Sequence, residues 1–323
     1  MTSIPDSVKS TALVVYDPTL PHVLTRSRLE QITDEAYRHS HVSQIMSNFT
    51  GQHLVGLTDV YLTPPKGLKT DPGIGIEVFA ATPGDQKPPV LIFSHGIGTS
   101  PVQYRPLLGE LASHGYTVLS LHHPSIVEDL PAMTREEESA KVEKLALVMA
   151  NNIQYVIDEF RNGTLKGIVG DENKILLGGH SLGGAASIMV ARTDHAITGC
   201  VNLDGFLHGK RKTDGLKQPL LMITGDYKSE VEKMAHAPEE EARDYARYMS
   251  QSLDEYDTLH QNSPHSTKIL IERGIHTDFT DVPFREYLAG KKTLDVAMRV
   301  HTIVSQEILK FMNQCSFLAK RAL

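Results

Sequence analysis

The chain has 323 residues, 40% hydrophobic and 22% charged, with a formal net charge of −7. That is the composition of a globular protein with a sizeable core; the acidic balance excludes the clustered basic face of a nucleic-acid binder and attraction by charge to an anionic membrane. Two cysteines, Cys200 and Cys315, exclude a disulfide framework or a cysteine-based zinc site, and no stretch reaches the ~18 apolar residues of a membrane helix.

The start, "MTSIPDSVKSTALVVYDPTL", has no cationic segment followed by an apolar run of signal-peptide length, so a cytoplasmic protein without a transmembrane segment is expected. Residues 1–72 are mixed in pattern and read as an N-terminal extension packed on the core, with a helix expected in "RSRLEQITDEAYRHSHVSQIMSN". From 73 the pattern is that of one domain, 73–323. "GIGIEVFAATP" leaves a glycine turn as a strand. "PVLIFSHG" is a short apolar run of buried-strand length. "SPVQYRPLLGELASHG" follows as a helix, with Ser100 at its N-cap, Pro101 at its first position and Gly115 at its end.

"YTVLSLHHP" is the next buried strand. In "REEESAKVEKLALVMANNIQYVIDEFRNG", Val142, Leu145, Ala146, Met149, Ile153, Val156, Ile157 and Phe160 step by three or four, as a one-sided helix requires. "NKILLGGHS" is a strand and "LGGAASIMVAR" a helix beginning with small residues. "ITGCVNLD", "QPLLMITGD" and "STKILIERG" are further strands, and "TLDVAMRVHTIVSQEILKFMNQ" is a closing helix. Apolar strands alternating with helices predict a mostly parallel sheet covered on both faces. The segment 228–266 breaks the rhythm. It is too long for a structureless loop, and "APEEEARDYARYMSQSLDEY" predicts a helical insertion between the last two core strands, serving as a lid or as a solvated excursion.

Ligands of open α/β sheets bind at the C-terminal ends of the strands. There the chain places "SHGIG", "HHP", "GHSLGG", "LDG", "GDY" and "GIHTDF". "GHSLG" is a G-x-S-x-G elbow between a strand and a helix. Gly179 and Gly183 clear a turn too tight for side chains, lifting Ser181 above the sheet edge, and the helix N-terminus beneath favours a developing anion. A serine hydroxyl needs a base, and His276, behind the last strand, fits the chain order serine, acid, histidine. The histidine needs a carboxylate to hold its tautomer. Asp204 and Asp226 both end strands, and the pattern leaves both open. Two backbone donors are needed for the oxyanion: the N–H of Leu182, directly after the serine, and that of Ile97 in the glycine-framed turn. His95 shapes that turn or is simply a hydrogen-bonded structural histidine. Cys200 reads as a buried, inert thiol.

"HSH" at 39–41 and His122–His123 lack the carboxylate or cysteine company of a metal site. "GIGIE" and "HGIGTS" match no nucleotide-binding pattern. No metal and no cofactor are expected.

The residues "FSHGIG" (93–98), "LASHGYTVLSLHH" (111–123), "GGHSLGGA" (178–185), "LDG" (203–205), "QPLL" (218–221) and "GIHTDFTD" (274–281) together resemble the platelet-activating-factor acetylhydrolases. The closing helix is also similar, so the likeness spans about 73–315. It implies the α/β-hydrolase fold, calcium-independent cleavage of short or oxidised acyl chains from phospholipids, and Asp204 as the acid. Leu182 stands where that family has a phenylalanine, and "GFLHGK" replaces an aromatic, proline-containing stretch. The expected activity is serine-dependent ester hydrolysis on a small-molecule or lipid ester, with a broad carboxylesterase and a non-catalytic binding fold as the alternatives.

Overall fold

The strands that the sequence marks by apolar runs meet in one sheet. The computed structural model of the protein describes residues 8–15, 49–53, 55–81, 86–126 and 135–321. Among these, nine strands form a single sheet: β1 (Val8–Val15), β2 (Val55–Leu62), β3 (Ile74–Ala81), β4 (Val90–Ser94), β5 (Thr117–His122), β6 (Ile175–His180), β7 (Gly199–Leu203), β8 (Leu220–Thr224) and β9 (Ser266–Leu270), in the spatial order β1-β2-β3-β5-β4-β6-β7-β8-β9. β4 to β9 run parallel, while β1, β2 and β3 continue the sheet as antiparallel neighbours beyond β5. Residues 8–15 and 55–62, read from sequence as part of an extension, are thus strands of the sheet itself. The helix expected within 26–48 and the histidines at 39–41 lie outside the described residues.

The two-residue repeat of a strand sends neighbouring side chains to opposite faces, and two separate cores result. Val90, Ile92, Leu119, Ile175, Leu177, Cys200, Leu220 and Met222 share one. Leu91, Phe93, Val118, Leu176, Val201, Leu203, Leu221 and Ile223 share the other. The first is covered by α2 (Arg135–Arg161), α3 (Leu182–Thr193) and α5 (Glu240–Asn262); the second is covered by α1 (Arg105–Ser113) and α7 (Leu294–Arg321). Strands buried on both sides have no polar face to show, which is why they read as continuous apolar runs.

The helix expected from Pro101 divides into a 3-10 turn, Pro101–Tyr104, followed by α1. Pro106 carries no N–H to reach the carbonyl four residues back, so the Arg105 N–H bonds to Val102 O across the tighter turn instead. The insertion between β8 and β9 also holds two helices where one was expected, α4 (Lys228–Ala235) and α5, parted at Pro238. α6 (Val282–Leu288) lies between the 3-10 turn His276–Phe279 and α7. The buried residues of α5, Ala246, Met249, Ser252, Tyr256 and Leu259, step by three and four, so one stripe packs down while its acidic face stays outward. Among the described residues, no helix is long and apolar enough to cross a membrane.

Candidate active site

β6 ends at His180 and α3 begins at Leu182, so a single residue must turn strand into helix. Ser181 does so with φ 54° and ψ −128°, a conformation that costs a residue with a side chain about 1–3 kcal/mol. Its N–H donates to Leu203 O at 2.8 Å and its carbonyl accepts from Gly184 N–H at 3.0 Å, which hold the turn in place. The flanking glycines are required by contact distance. A Cβ on Gly183 would stand 2.1 Å from Ser94 O, and one on Gly179 would stand 2.3 Å from the carbonyl carbon of Gly183.

The parallel register carries the acid to the same place. His180 pairs with Leu203 across β6 and β7, so the residues that follow, Ser181 and Asp204, leave adjacent strand ends side by side. Asp204 has φ 56° and is buried. Its Oδ1 accepts from Thr224 Oγ1 at 3.0 Å and Gly225 N–H at 2.9 Å. Its Oδ2 accepts from the Tyr227 hydroxyl and, at 2.6 Å, from His276 Nδ1. Burial alone would raise the pKa of this carboxyl group. The bond and charge of His276, with the Tyr227 and Gly225 donors, outweigh it and hold the carboxyl below its ordinary range. A carboxylate only accepts, so Nδ1 of His276 carries the proton and Nε2 is the basic nitrogen.

Asp226 does not reach His276. Its carboxylate lies 3.4 Å from the N–H groups of Lys228 and Arg273, and its own N–H donates to Gly274 O at 2.9 Å, so it braces the loop that delivers His276. Of the two carboxylates the sequence left open, the structure brings Asp204 to the imidazole.

The turn after β4 abuts the serine. A Cβ on Gly96 would lie 2.9 Å from Ser181 Cβ. The N–H of Gly96 points to Tyr104 Oη at 3.3 Å and that of Gly98 to Ile126 O at 3.2 Å, on either side of the Ile97 N–H. Ile97, Leu182, Ser181, Asp204 and His276 all line one pocket. His95 is buried beneath, its Nδ1 bonded to Gly96 O at 2.8 Å and its Nε2 accepting from His123 N–H at 3.1 Å, the structural role weighed for it from sequence. Burial drives it down from 6.5 to about 4, so it is neutral. Cys200 is fully buried, and burial pushes its thiol up to about 12.

Sequence reasoning missed three side chains here. His180, the residue before Ser181, bonds through Nε2 to the carbonyl of His276 at 3.0 Å and through Nδ1 to the Tyr104 hydroxyl at 2.8 Å. The carbonyl can only accept, which puts the His180 proton on Nε2. Burial, reinforced by the charge of His276, pushes His180 from 6.5 down to about 3. Tyr104 also meets Thr99 Oγ1 at 3.0 Å, so it links the turn after β4 to the segment carrying His276. Tyr227 lies directly after a strand end in "GDY", and that position was its only trace in the sequence.

The pocket holds a volume of about 310 Å³. The turn at Ser181 forms its floor; Glu138, Ser139 and Val142 of α2 form one wall; Phe206 and His208 from the loop after β7 join Tyr245, Tyr248 and Met249 of α5 to close it. The insertion therefore roofs the site. His180, Asp204 and His276 bring possible metal-ligating atoms within 4.8 Å of one another. Their hydrogen bonds already engage Nδ1 of His276, both nitrogens of His180 and both oxygens of Asp204, so the cluster fits a proton relay better than a cation.

This strand order, with a serine raised at the turn between β6 and α3, places the protein among the α/β-hydrolases. Among solved structures it resembles a ferulic acid esterase from Streptomyces cinnamoneus, with a TM-score of 0.53 and 17% identity over 97% of this chain and 90% of that one. The family is narrower. Residues 141–322 match the model of platelet-activating factor acetylhydrolase, isoform II, and the chain belongs to that family. Residues 63–208 also match the chlorophyllase model. A platelet-activating factor acetylhydrolase of Cavia porcellus is 26% identical over 179 residues, 44% of this chain and 41% of that protein, so the matched stretch spans less than half of the relative's length.

Proposed function

We propose that the chain hydrolyses carboxylic esters through an acyl-enzyme formed on Ser181. His276 Nε2 takes the hydroxyl proton as Ser181 attacks the ester carbonyl. Asp204 holds the imidazole and offsets its charge. The N–H groups of Ile97 and Leu182 receive the oxyanion. His276 then protonates the departing alcohol and afterwards activates water for deacylation. The observation that carries this reading is the 2.6 Å bond between His276 Nδ1 and Asp204 Oδ2, two residues that line one pocket with a strained Ser181.

The substrates proposed are short-chain acyl esters, including phospholipids like platelet-activating factor. The modest volume and aromatic roof favour a short acyl group, and the family supplies the lipid. A second reading, a broad carboxylesterase of small soluble esters, is favoured by one feature: no lysine or arginine lines the pocket among the described residues, so no cation awaits a phosphate.

The test has two parts. A fluorophosphonate probe should label the wild-type protein and leave Ser181→Ala unlabelled; equal labelling of both, or of neither, contradicts the acyl-enzyme route, and a non-catalytic binding fold would label in neither. Hydrolysis of a short-acyl phosphocholine alongside nitrophenyl esters of rising chain length then separates the two substrate readings.

A further inference from the structure

Asp204 is saturated. Each carboxylate oxygen has two lone-pair sites, and each receives two donors: Thr224 Oγ1 and Gly225 N–H on Oδ1, Tyr227 Oη and His276 Nδ1 on Oδ2. The first pair belongs to the strand end and anchors the carboxylate. The second pair shares one oxygen, and only one member of it is the base. We propose that Tyr227 is a positioning residue of this site, its hydroxyl drawing on the same oxygen as His276 and so setting how much of the carboxylate's charge the imidazole receives.

Three observations support this. The Tyr227 side chain is buried, and burial together with the charge of Asp204 raises its phenol far above the ordinary value, so it stays protonated and can only donate toward the carboxylate. Its ring lines the pocket and meets Phe206 at a centroid distance of 6.1 Å, and Phe206 meets Tyr248 of the roof at 6.4 Å. Tyr227 is also the residue from which α4 starts. The hydroxyl on the acid is therefore carried by the residue that caps the first helix of the insertion over the pocket, and displacement of that insertion reaches the carboxylate through one side chain.

Other ionisable groups face His276. Glu138 of α2, Tyr245 and Tyr248 of α5 and His208 of the loop after β7 line the same pocket, and burial lowers His208 from 6.5 to about 4. The His180 ring is 4.5 Å from that of His276 and is kept neutral by burial. Asp278, on the same turn, accepts from Ile275 N–H at 3.0 Å and faces Lys292 Nζ at 3.7 Å. Removing the Tyr227 hydroxyl leaves the full charge of Oδ2 to the imidazole and stabilises its protonated form. The base is then captured by protons at a higher pH.

The inference rests on the acyl-enzyme reading above, and the experiment separates the two. The dependence of kcat/KM on pH is measured for the wild type, for Tyr227→Phe and for Tyr227→3-fluorotyrosine, whose phenol is a stronger donor, with Ser181→Ala as reference. Tyr227→Phe should move the acid limb up by about one pH unit with KM little changed, and the fluorinated side chain should move it down. Should Tyr227→Phe fail to fold, the fluorinated variant, which keeps the hydroxyl, decides alone. An acid limb unmoved in the folded variants, with Ser181→Ala inactive, overturns the role of Tyr227 and leaves the acyl-enzyme reading standing. Activity retained by Ser181→Ala overturns both.

Discussion

The Nε2 of His180 lies 3.0 Å from the carbonyl oxygen of His276, so the residue before the serine holds the backbone of the residue proposed as its base. Tyr104 completes the link from the other side of His180, at 2.8 Å. Tyr104→Phe keeps the ring and deletes that bond, leaving His180 Nδ1 and the Gly96 N–H without their partner. Leaving a buried polar group unsatisfied costs about 1–3 kcal/mol. The variant should be destabilised by that amount in urea unfolding and should lose several-fold in kcat, with KM less affected. Unchanged stability and kcat would show that the bonds are incidental.

Asp204 and Asp226 stand at neighbouring strand ends, yet only Asp204 touches the imidazole. Asp204→Asn keeps the shape but presents an amide to a nitrogen that must donate; if Asp204 is the acid of the proposed relay, turnover should fall by about 10⁴-fold. Asp226→Asn removes only long bonds to a loop and should cost less than about tenfold, in line with a weak surface contribution. Steady-state kinetics on a nitrophenyl ester rank the two, and the reverse order would assign the acid to Asp226.

Three buried histidines make stability fall in mild acid. Burial lowers His95 to about 4 and His180 to about 3, and sets His123 well below its ordinary 6.5. In the unfolded chain they take up protons near 6.5, whereas the folded protein keeps them neutral, so the unfolded state binds more protons throughout that window. Their contribution is complete above about pH 6.5 and declines as pH drops toward 4. Asp204, whose carboxyl is held low, adds a loss only further down, as pH falls through the carboxylate range. Unfolding free energies measured by urea from pH 8 to pH 4 should show this decline, and a flat curve above pH 5 contradicts it.

Tyr248 belongs to the roof rather than the floor. Tyr248→Ala should enlarge the pocket and shift the optimum of an acyl-chain series to longer esters. Each additional buried CH₂ contributes about 0.8 kcal/mol, roughly fourfold in kcat/KM per carbon. An unchanged optimum would place the acyl group elsewhere.

The parallel sheet was legible in the sequence because burial on both faces leaves an unmistakable mark: "PVLIFS", "YTVLSL", "KILLGG" and "QPLLMIT" have no polar alternation to confuse them with edge strands. "GHSLG" was legible for a similar reason, since a turn that admits no Cβ at 179 or 183 must spell itself in glycine. β1 and β2 were not legible. Antiparallel strands at the margin of a sheet carry a mixed pattern, and nothing local says which edge they join. The first half of the insertion escaped for a related reason: α4 has no buried residues and hence no apolar period to read.

By itself the sequence determined the parallel part of the sheet, the serine turn and the histidine behind the last strand, because each follows from a short-range rule of period, size or chain order. The residue pattern left Asp204 and Asp226 open and only the family resemblance pointed to Asp204; the contact itself, and the placing of Tyr227, His180 and Tyr104 around the pair, were decided by the tertiary structure. Asp204 and His276 are 72 residues apart. Their contact depends on the register in which β6, β7 and β8 lie side by side, and register is a property of assembled strands that no single segment encodes.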